Sequence, residues 1–440
     1  MKYIIFSIYF GASIFLCLYC NGQNLDETNS QKTRSFIKNN WLSTVRVNIK
    51  DSGNLIGLPK PYTVPSPGDM FEEMYYWDTY FTNAGLIIDG QLEQAKNNVE
   101  DIAYLVNRFG YMPNGNRTYY LGNSQPAYLS LMVRDIYDHT KDKEWLKSVL
   151  PAIEREYNFW MDKRMTSCGL NRYSNQATQE KKLNMLVYIG ERLGKKFDTT
   201  EFKSDSLKTR IGSNFISECE SGWDFNPRYE SRCEDYCPLD LNCNLYMYEK
   251  NFAFFYKALG IASDSTWLSL AIKRKELINK YMYNQRDNLF YDYDYINNKL
   301  SPVLAASIMN LLWSGIATKG QAEKIKKSIT RLEFKYGIAA CEPGNRKYTY
   351  QWDYPNGWAN LQFITIKGLE KYGYREDARR VAAKYVNTIG KIFRQSNKLY
   401  EKYNVVDGTL NVSSEYGTPT MMGWTAGVFV YADEFIKRRH

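Results

Sequence analysis

Nine residues near the middle of the chain, Glu220-Ser221-Gly222-Trp223-Asp224-Phe225-Asn226-Pro227-Arg228, set one carboxylate beside an indole, between a glycine and a proline. Gly222 permits a turn that other residues resist, and Pro227 ends regular structure soon afterwards. Asp224 then projects from a loop, next to an apolar ring face that can stack on a ligand and lower the local dielectric. Such surroundings raise a carboxyl pKa, which suits a general acid working near neutral pH. A helix-capping Asp beside a core Trp is the competing reading of the same stretch. Only two histidines occur, His139 and His440, too few for a His-ligated metal or a Ser-His-Asp triad. Any catalysis therefore falls to carboxylates.

Other loops repeat this chemistry. Pro67 to Asp78 carries Phe71, Tyr75, Trp77 and Asp78; Pro113-Asn114-Gly115-Asn116-Arg117 and Ser124-Gln125-Pro126 follow. Later come Gln351-Trp352-Asp353-Tyr354-Pro355-Asn356-Gly357-Trp358, Tyr400-Glu401-Lys402-Tyr403, Glu415-Tyr416 and Gly423-Trp424-Thr425. Each joins Trp or Tyr to a carboxylate, amide or turn residue. Rings stack on the CH-rich faces of sugars while polar neighbours bond the hydroxyls. An aromatic content of 15% points mildly the same way. So many loops of one character predict a shared pocket for a small polyhydroxylated ligand. Asp353 and Arg228 read as ion-pair or capping groups, and Tyr119 and Tyr120 as packing.

The elements between these loops have helical periodicity. Leu92, Ala95, Val99, Ile102, Ala103 and Val106 repeat at three and four, with Gly110 as a stop. Trp145 to Met161 forms a second such face, in which Pro151 starts a helix or kinks it. Leu268 to Tyr281 and Ala378 to Phe393 form two more. Asn288 to Tyr293 is the best candidate for a short strand. Many amphipathic helices without a Pro-, Gly- or Ser-rich linker predict one large all-α domain over residues 23–440, a toroid or solenoid of helical hairpins.

The first 22 residues, with Lys2 and then an apolar run to about Cys20, read as a secretory signal. An exported protein, periplasmic or at the cell surface, follows; lipid attachment at Cys20 is left open and would be the sole link to a membrane. Cys168, Cys219, Cys233, Cys237, Cys243 and Cys341 are then an even set in an oxidising compartment, with a disulfide expected among Cys233, Cys237 and Cys243. The net charge of +9 is dispersed along the chain. No basic stripe or recognised motif marks a nucleic-acid partner, and a monomer is expected.

From about Pro67 to Gly427 the chain resembles the trehalases, the family-thirty-seven glycoside hydrolases. Phe71, Glu73 and Tyr75-Tyr76-Trp77-Asp78 match the family's early signature, and Gln351-Trp352-Asp353, Pro355 and Gly357-Trp358 its late one. Supporting matches run from Pro113 to Leu121, from Leu150 to Trp160, and through Asn171-Arg172-Tyr173 and Leu239-Asp240-Leu241-Asn242. The resemblance implies an (α/α)6 barrel with its active site in the mouth and inversion at the anomeric carbon without cofactors. It implies Asp224 as general acid and Glu401 as general base, with Glu415 able to exchange roles with Glu401. It further implies a sugar site lined by Phe71, Tyr75, Trp77, Asp78, Asn114, Gln125, Trp223, Trp352 and Glu415.

Several positions depart from the family. Met70 and Asn123 stand where it carries arginines, and Ser174 to Gln179 where it has an Arg-Pro-Glu segment. Val405 to Ser414 replaces its glycine-rich loop, and Asn404 an Asp. A less cationic, more open second sugar site is the expectation. Trehalose is the leading substrate, another α-linked di- or oligosaccharide the alternative, and a sugar-binding surface protein without activity the reading from another class.

Overall fold

The helix Tyr76–Ile88 is buried at every position from Tyr76 to Asn83, and Gly423–Lys437 at every position from Gly423 to Asp433. A helix apolar or small on all sides belongs inside a fold. In the computed structural model, which describes residues 27–193, 202–262, 264–412 and 416–438, these two and four further helices form a closed inner ring. In chain order they are Tyr76–Ile88, Leu129–Thr140, Leu239–Leu259, Met309–Ser314, Ala359–Lys371 and Gly423–Lys437, each packed on the next and the last on the first. Outer helices alternate with them: Leu92–Phe109, Lys143–Arg164, Asp264–Met282, Lys319–Ser328 and Arg375–Ser396. Glu27–Asn40 completes the outer layer against Arg375–Ser396 and Gly423–Lys437. This is an (α/α)6 barrel.

The ring closes where its first and last helices cross, and glycines make that crossing close. A methyl group added at Gly85 would stand 2.6 Å from the Cα of Gly427. The outer helices follow the predicted faces: Ala95, Val99, Ile102, Ala103 and Val106 are buried, and Gly110 caps their helix at φ 86°. Ala378, Val381, Ala382, Tyr385, Val386 and Ile389 do the same in Arg375–Ser396.

A further hairpin, Gln179–Leu193 and Asp205–Ser221, stands outside these twelve helices. It has its own small core, in which Leu186, Ile189, Leu193 and Phe215 pack on Phe225 and Tyr350. Its second helix runs directly into Gly222.

Pro151, expected to start a helix or kink it, does not start one: it lies within Lys143–Arg164, whose N-cap Asp142 accepts from Trp145 N. Two expectations need correction. The segment from Asn288 to Tyr293 is not one strand. Leu289–Phe290 pairs with Tyr283–Asn284, and Tyr293–Asp294 pairs with Tyr236–Cys237 and Lys299–Leu300. Between them Asp292 turns inward to bond Arg228, which interrupts the ladder. Cys233, Cys237 and Cys243 are free thiols; the nearest sulfur to Cys237 is that of Cys168, at 3.8 Å. No described helix is long and apolar enough to cross a membrane. The leader with Cys20, and Glu415, lie outside the described residues.

Candidate active site

The loops at the N-terminal ends of the inner helices surround a cavity of about 360 Å³. Asp224 and Glu401, 177 positions apart by their numbers (401 − 224), both line it. Phe71, Tyr75, Trp77, Asp78, Asn114, Gln125 and Trp352 share the wall. Trp223 does not: it lies behind the wall, its ring 5.1 Å from that of Trp352 and 4.4 Å from the Arg228 guanidinium. Neighbours along an extended loop face opposite ways, so placing Asp224 in the cavity sends Trp223 into the core.

Asp224 is held by its backbone. Gly222 ends the preceding helix at φ 71°, a conformation that favours glycine. A methyl group there would also meet the Trp77 ring at 2.6 Å. Beyond the acid, Asn226 Nδ2 donates to Trp223 O at 2.7 Å and Asn226 Oδ1 accepts from Arg228 N at 2.9 Å. Arg228 is fully buried and pairs with Asp292 and Asp240, the ion-pair role expected of it. Gln351 Nε2 donates to Asp224 O, and Trp352 N to Phe225 O at 3.1 Å. The late signature thereby clamps the acid loop. Asp353 pairs with Arg346 at 3.0 Å, also as expected.

Glu401 is held by its side chain. Lys402 Nζ donates to Oε2 at 2.6 Å and Tyr416 Oη to Oε1 at 2.9 Å. The ammonium is itself buried, 4.2 Å from the Tyr416 ring and 5.1 Å from that of Trp358. Lys402–Asn404 pairs with Asn356–Trp358, and Trp424 Nε1 donates to Glu401 O at 3.2 Å. A carboxylate with both oxygens bonded to donors is kept in one orientation.

Asp78 sits in the first turn of Tyr76–Ile88, where Gln125 Oε1 accepts from Trp77 N at 3.1 Å. Burial, then the nearby Glu401 and Asp224, push its carboxyl to about 8. Burial likewise pushes Asp224 to about 7, against the charge of Arg192, which draws it down, while Glu401 adds to the rise. Two carboxyls with pKa values raised toward neutrality therefore face one cavity.

Sequence reasoning missed Arg192. It lines the cavity from the helix Gln179–Leu193, with Met185 and Tyr188 beside it. Its guanidinium lies 5.0 Å from the Phe225 ring and 5.2 Å from that of Tyr416. One guanidinium therefore lines the wall of a site expected to be less cationic than the family's. Nothing local marked this arginine, because one cation on an amphipathic helix reads as a solvated face. Tyr120, expected as packing only, also lines the cavity and bonds Tyr75 Oη at 2.6 Å. Among the described residues no group of three His, Cys, Asp or Glu is arranged to hold a metal.

Residues 22–436 match the sequence profile of the family described as Trehalase. The chain is 32% identical to a periplasmic trehalase of Escherichia coli O1:K1, over 92% of this chain and 74% of that one. It is also 32% identical to the periplasmic trehalase of Salmonella choleraesuis, over 90% and 72%. Among solved structures it superposes on the neutral trehalase Nth1 of Saccharomyces cerevisiae with a TM-score of 0.73 and 27% identity, covering 91% of this chain and 80% of that one. A GH63 mannosylglycerate hydrolase of Thermus thermophilus, at 14% identity and a TM-score of 0.61 over 84% and 95%, shares the fold. The chain belongs to the trehalase family of glycoside hydrolases.

Proposed function

We propose that the protein hydrolyses α,α-trehalose to two molecules of glucose with inversion, Asp224 being the general acid and Glu401 the general base. The observation that carries this is the convergence of Asp224 and Glu401 on one cavity in two unlike settings. Asp224 is desolvated and holds its proton to about pH 7. Glu401 has both oxygens bonded to donors, one of them an ammonium. Pairs of carboxyls whose surroundings differ in this way divide acid and base work between them.

In the proposed reaction Asp224 passes its proton to the bridging oxygen as the bond to the anomeric carbon breaks. A water, losing a proton to Glu401, attacks that carbon from the opposite face, so one glucose leaves as the β-anomer and the other as the α-anomer. Admitting the water needs roughly 6.5–9.5 Å between the two carboxyl groups. Asp78, Asn114 and Gln125 are suited to bonding hydroxyls, Trp77 and Trp352 to covering a ring face, and Arg192 to the charge-assisted contacts that Met70 and Asn123 cannot make. Asp78 is protonated near neutrality too, so the assignment of the acid needs its own test.

Proton NMR of early turnover should show equal α- and β-glucose before mutarotation; α-glucose alone would refute inversion. An α-glucosyl fluoride, whose leaving group needs no protonation, should be turned over by Asp224→Asn but not by Glu401→Gln. If Asp78→Asn behaves as predicted for Asp224→Asn instead, the acid has been misassigned. The leader and the periplasmic relatives support export, and a site built within one chain supports a single catalytic unit over residues 23–440.

A further inference from the structure

A second cavity, of about 720 Å³, opens on the side of the inner ring away from the acid and base. Its walls come mainly from Leu129–Thr140, Leu239–Leu259, Met309–Ser314 and Ala359–Lys371, with Tyr80 from Tyr76–Ile88 and Leu268 from the outer helix Asp264–Met282. Five cations line it, Arg134, Lys250, Lys257, Lys367 and Lys371, against two carboxylates, Asp135 and Glu370. Tyr80 and Trp313, nearly buried and 5.8 Å apart between ring centres, form an aromatic wall.

Fold-keeping duties account for part of this charge. Lys257 and Lys371 stand in the last turns of their helices, where a cation offsets the carbonyl end. Lys371 also donates to Trp313 O at 2.8 Å. Arg134 pairs with Asp138 and stacks 3.5 Å from the Phe254 ring. Lys367 lies over Phe363 and Tyr431 and draws down the Asp135 carboxyl, which burial otherwise raises. Lys250 has no such duty: among the described residues it has no hydrogen bond, ion pair or ring contact, and it lies before the last turn of Leu239–Leu259. Burial first, then the charges of Lys367 and Lys250, lower the pKa of Lys371. The positive charge is thus crowded and only partly offset, in a concave site that focuses its field.

We propose that this cavity binds a small phosphorylated molecule. Several ammonium groups around one space suit a dianion with three acceptor oxygens better than a carboxylate with two. Tyr80 and Trp313 offer a flat wall for a ring attached to the phosphoryl group. Nothing in the proposed hydrolysis of trehalose uses these residues.

Calorimetric titration of the whole protein at low salt tests it, with inorganic phosphate and glucose 6-phosphate as probes and glucose as the neutral control. At least one phosphate-bearing probe should bind at one site per chain, and salt should weaken it. Preference for glucose 6-phosphate would identify a sugar phosphate as the ligand, and equal binding free phosphate; either supports the proposal. Lys250→Gln should weaken binding about tenfold or more, and Lys250→Gln with Lys367→Gln further, both with trehalose turnover unchanged. Failure of both probes to bind, or binding indifferent to Lys250→Gln in a variant that keeps turnover, overturns it.

Discussion

Replacing Asp224 by Asn should inactivate the enzyme and, at the same time, make the fold more stable in mild alkali. A carboxyl that keeps its proton to about pH 7 instead of 3.8 penalises the native state once it must ionise. At about 1.4 kcal/mol per pH unit, the difference comes to at most about 4 kcal/mol. Because the native pKa lies above the unfolded one, the native state binds more protons between these two values. Stability is therefore lost as pH rises from about 4 to about 7, and Asn, which cannot ionise, escapes that loss. Arg192 and Asp78 share the same cavity, and rearrangement around an ionised Asp224 would recover part of the penalty, so about 2 kcal/mol is a reasonable expectation at pH 8. Thermal unfolding of wild type and variant should coincide near pH 4 and separate by a few degrees at pH 8, the variant being higher. Trehalose turnover should fall roughly 10²- to 10⁴-fold throughout. Equal melting at pH 8, or a variant melting lower there, would refute the desolvated acid; undiminished turnover would refute its role.

Arg192→Ala should lower kcat/KM for trehalose roughly ten- to hundredfold, the equivalent of about 1.5–3 kcal/mol of charge-assisted bonding. It should also move the alkaline limb of the pH profile upward, since this cation draws the Asp224 pKa down; steady-state kinetics from pH 5 to about 9 reads both. An unmoved limb would place the guanidinium outside the acid's influence. Gly222→Ala forces a side chain into a left-handed backbone and against the Trp77 ring, and should cost about 1–3 kcal/mol in denaturant unfolding together with most of the activity. Normal stability in that variant would count against the turn as described. Prolonged EDTA treatment should leave turnover unchanged, and a loss reversed by a divalent ion would refute the cofactor-free mechanism.

The amphipathic helices were readable because their apolar residues recur at three and four, and the loops because aromatic, carboxylate and turn residues coincide in them. Residue types do not say which way a loop turns, so Trp223 was expected beside the sugar and stands behind Trp352. Arg192 escaped for a related reason. Its helix carries an ordinary polar face, and only docking of Phe225 and Tyr350 against Leu186 and Ile189 brings the guanidinium over the acid. Met70 and Asn123 showed what had been removed, without showing what came from elsewhere. The cysteine expectation failed because spacing along the chain says little about distance across a fold: Cys168 lies nearer Cys237 than its neighbours in sequence suggest.

The crossing of Tyr76–Ile88 with Gly423–Lys437 has a bearing on how the molecule is made. The helix that brings Trp77 and Asp78 emerges in synthesis long before the surface it must lie against, Gly423–Lys437. Until then its apolar flank has no partner, and the loop that presents Glu401 lacks Trp424 at its back. Closing a loop of such length adds only slowly growing entropy, but it delays every contact that depends on it. A nascent chain can hold the acid's turn and several hairpins while having no ring and no assembled pair of carboxyls. Hydrolytic competence therefore waits until Gly423–Lys437 has been made and has closed the ring, and a chain truncated before Gly423 would expose the Tyr76–Ile88 flank to aggregation and to proteolysis.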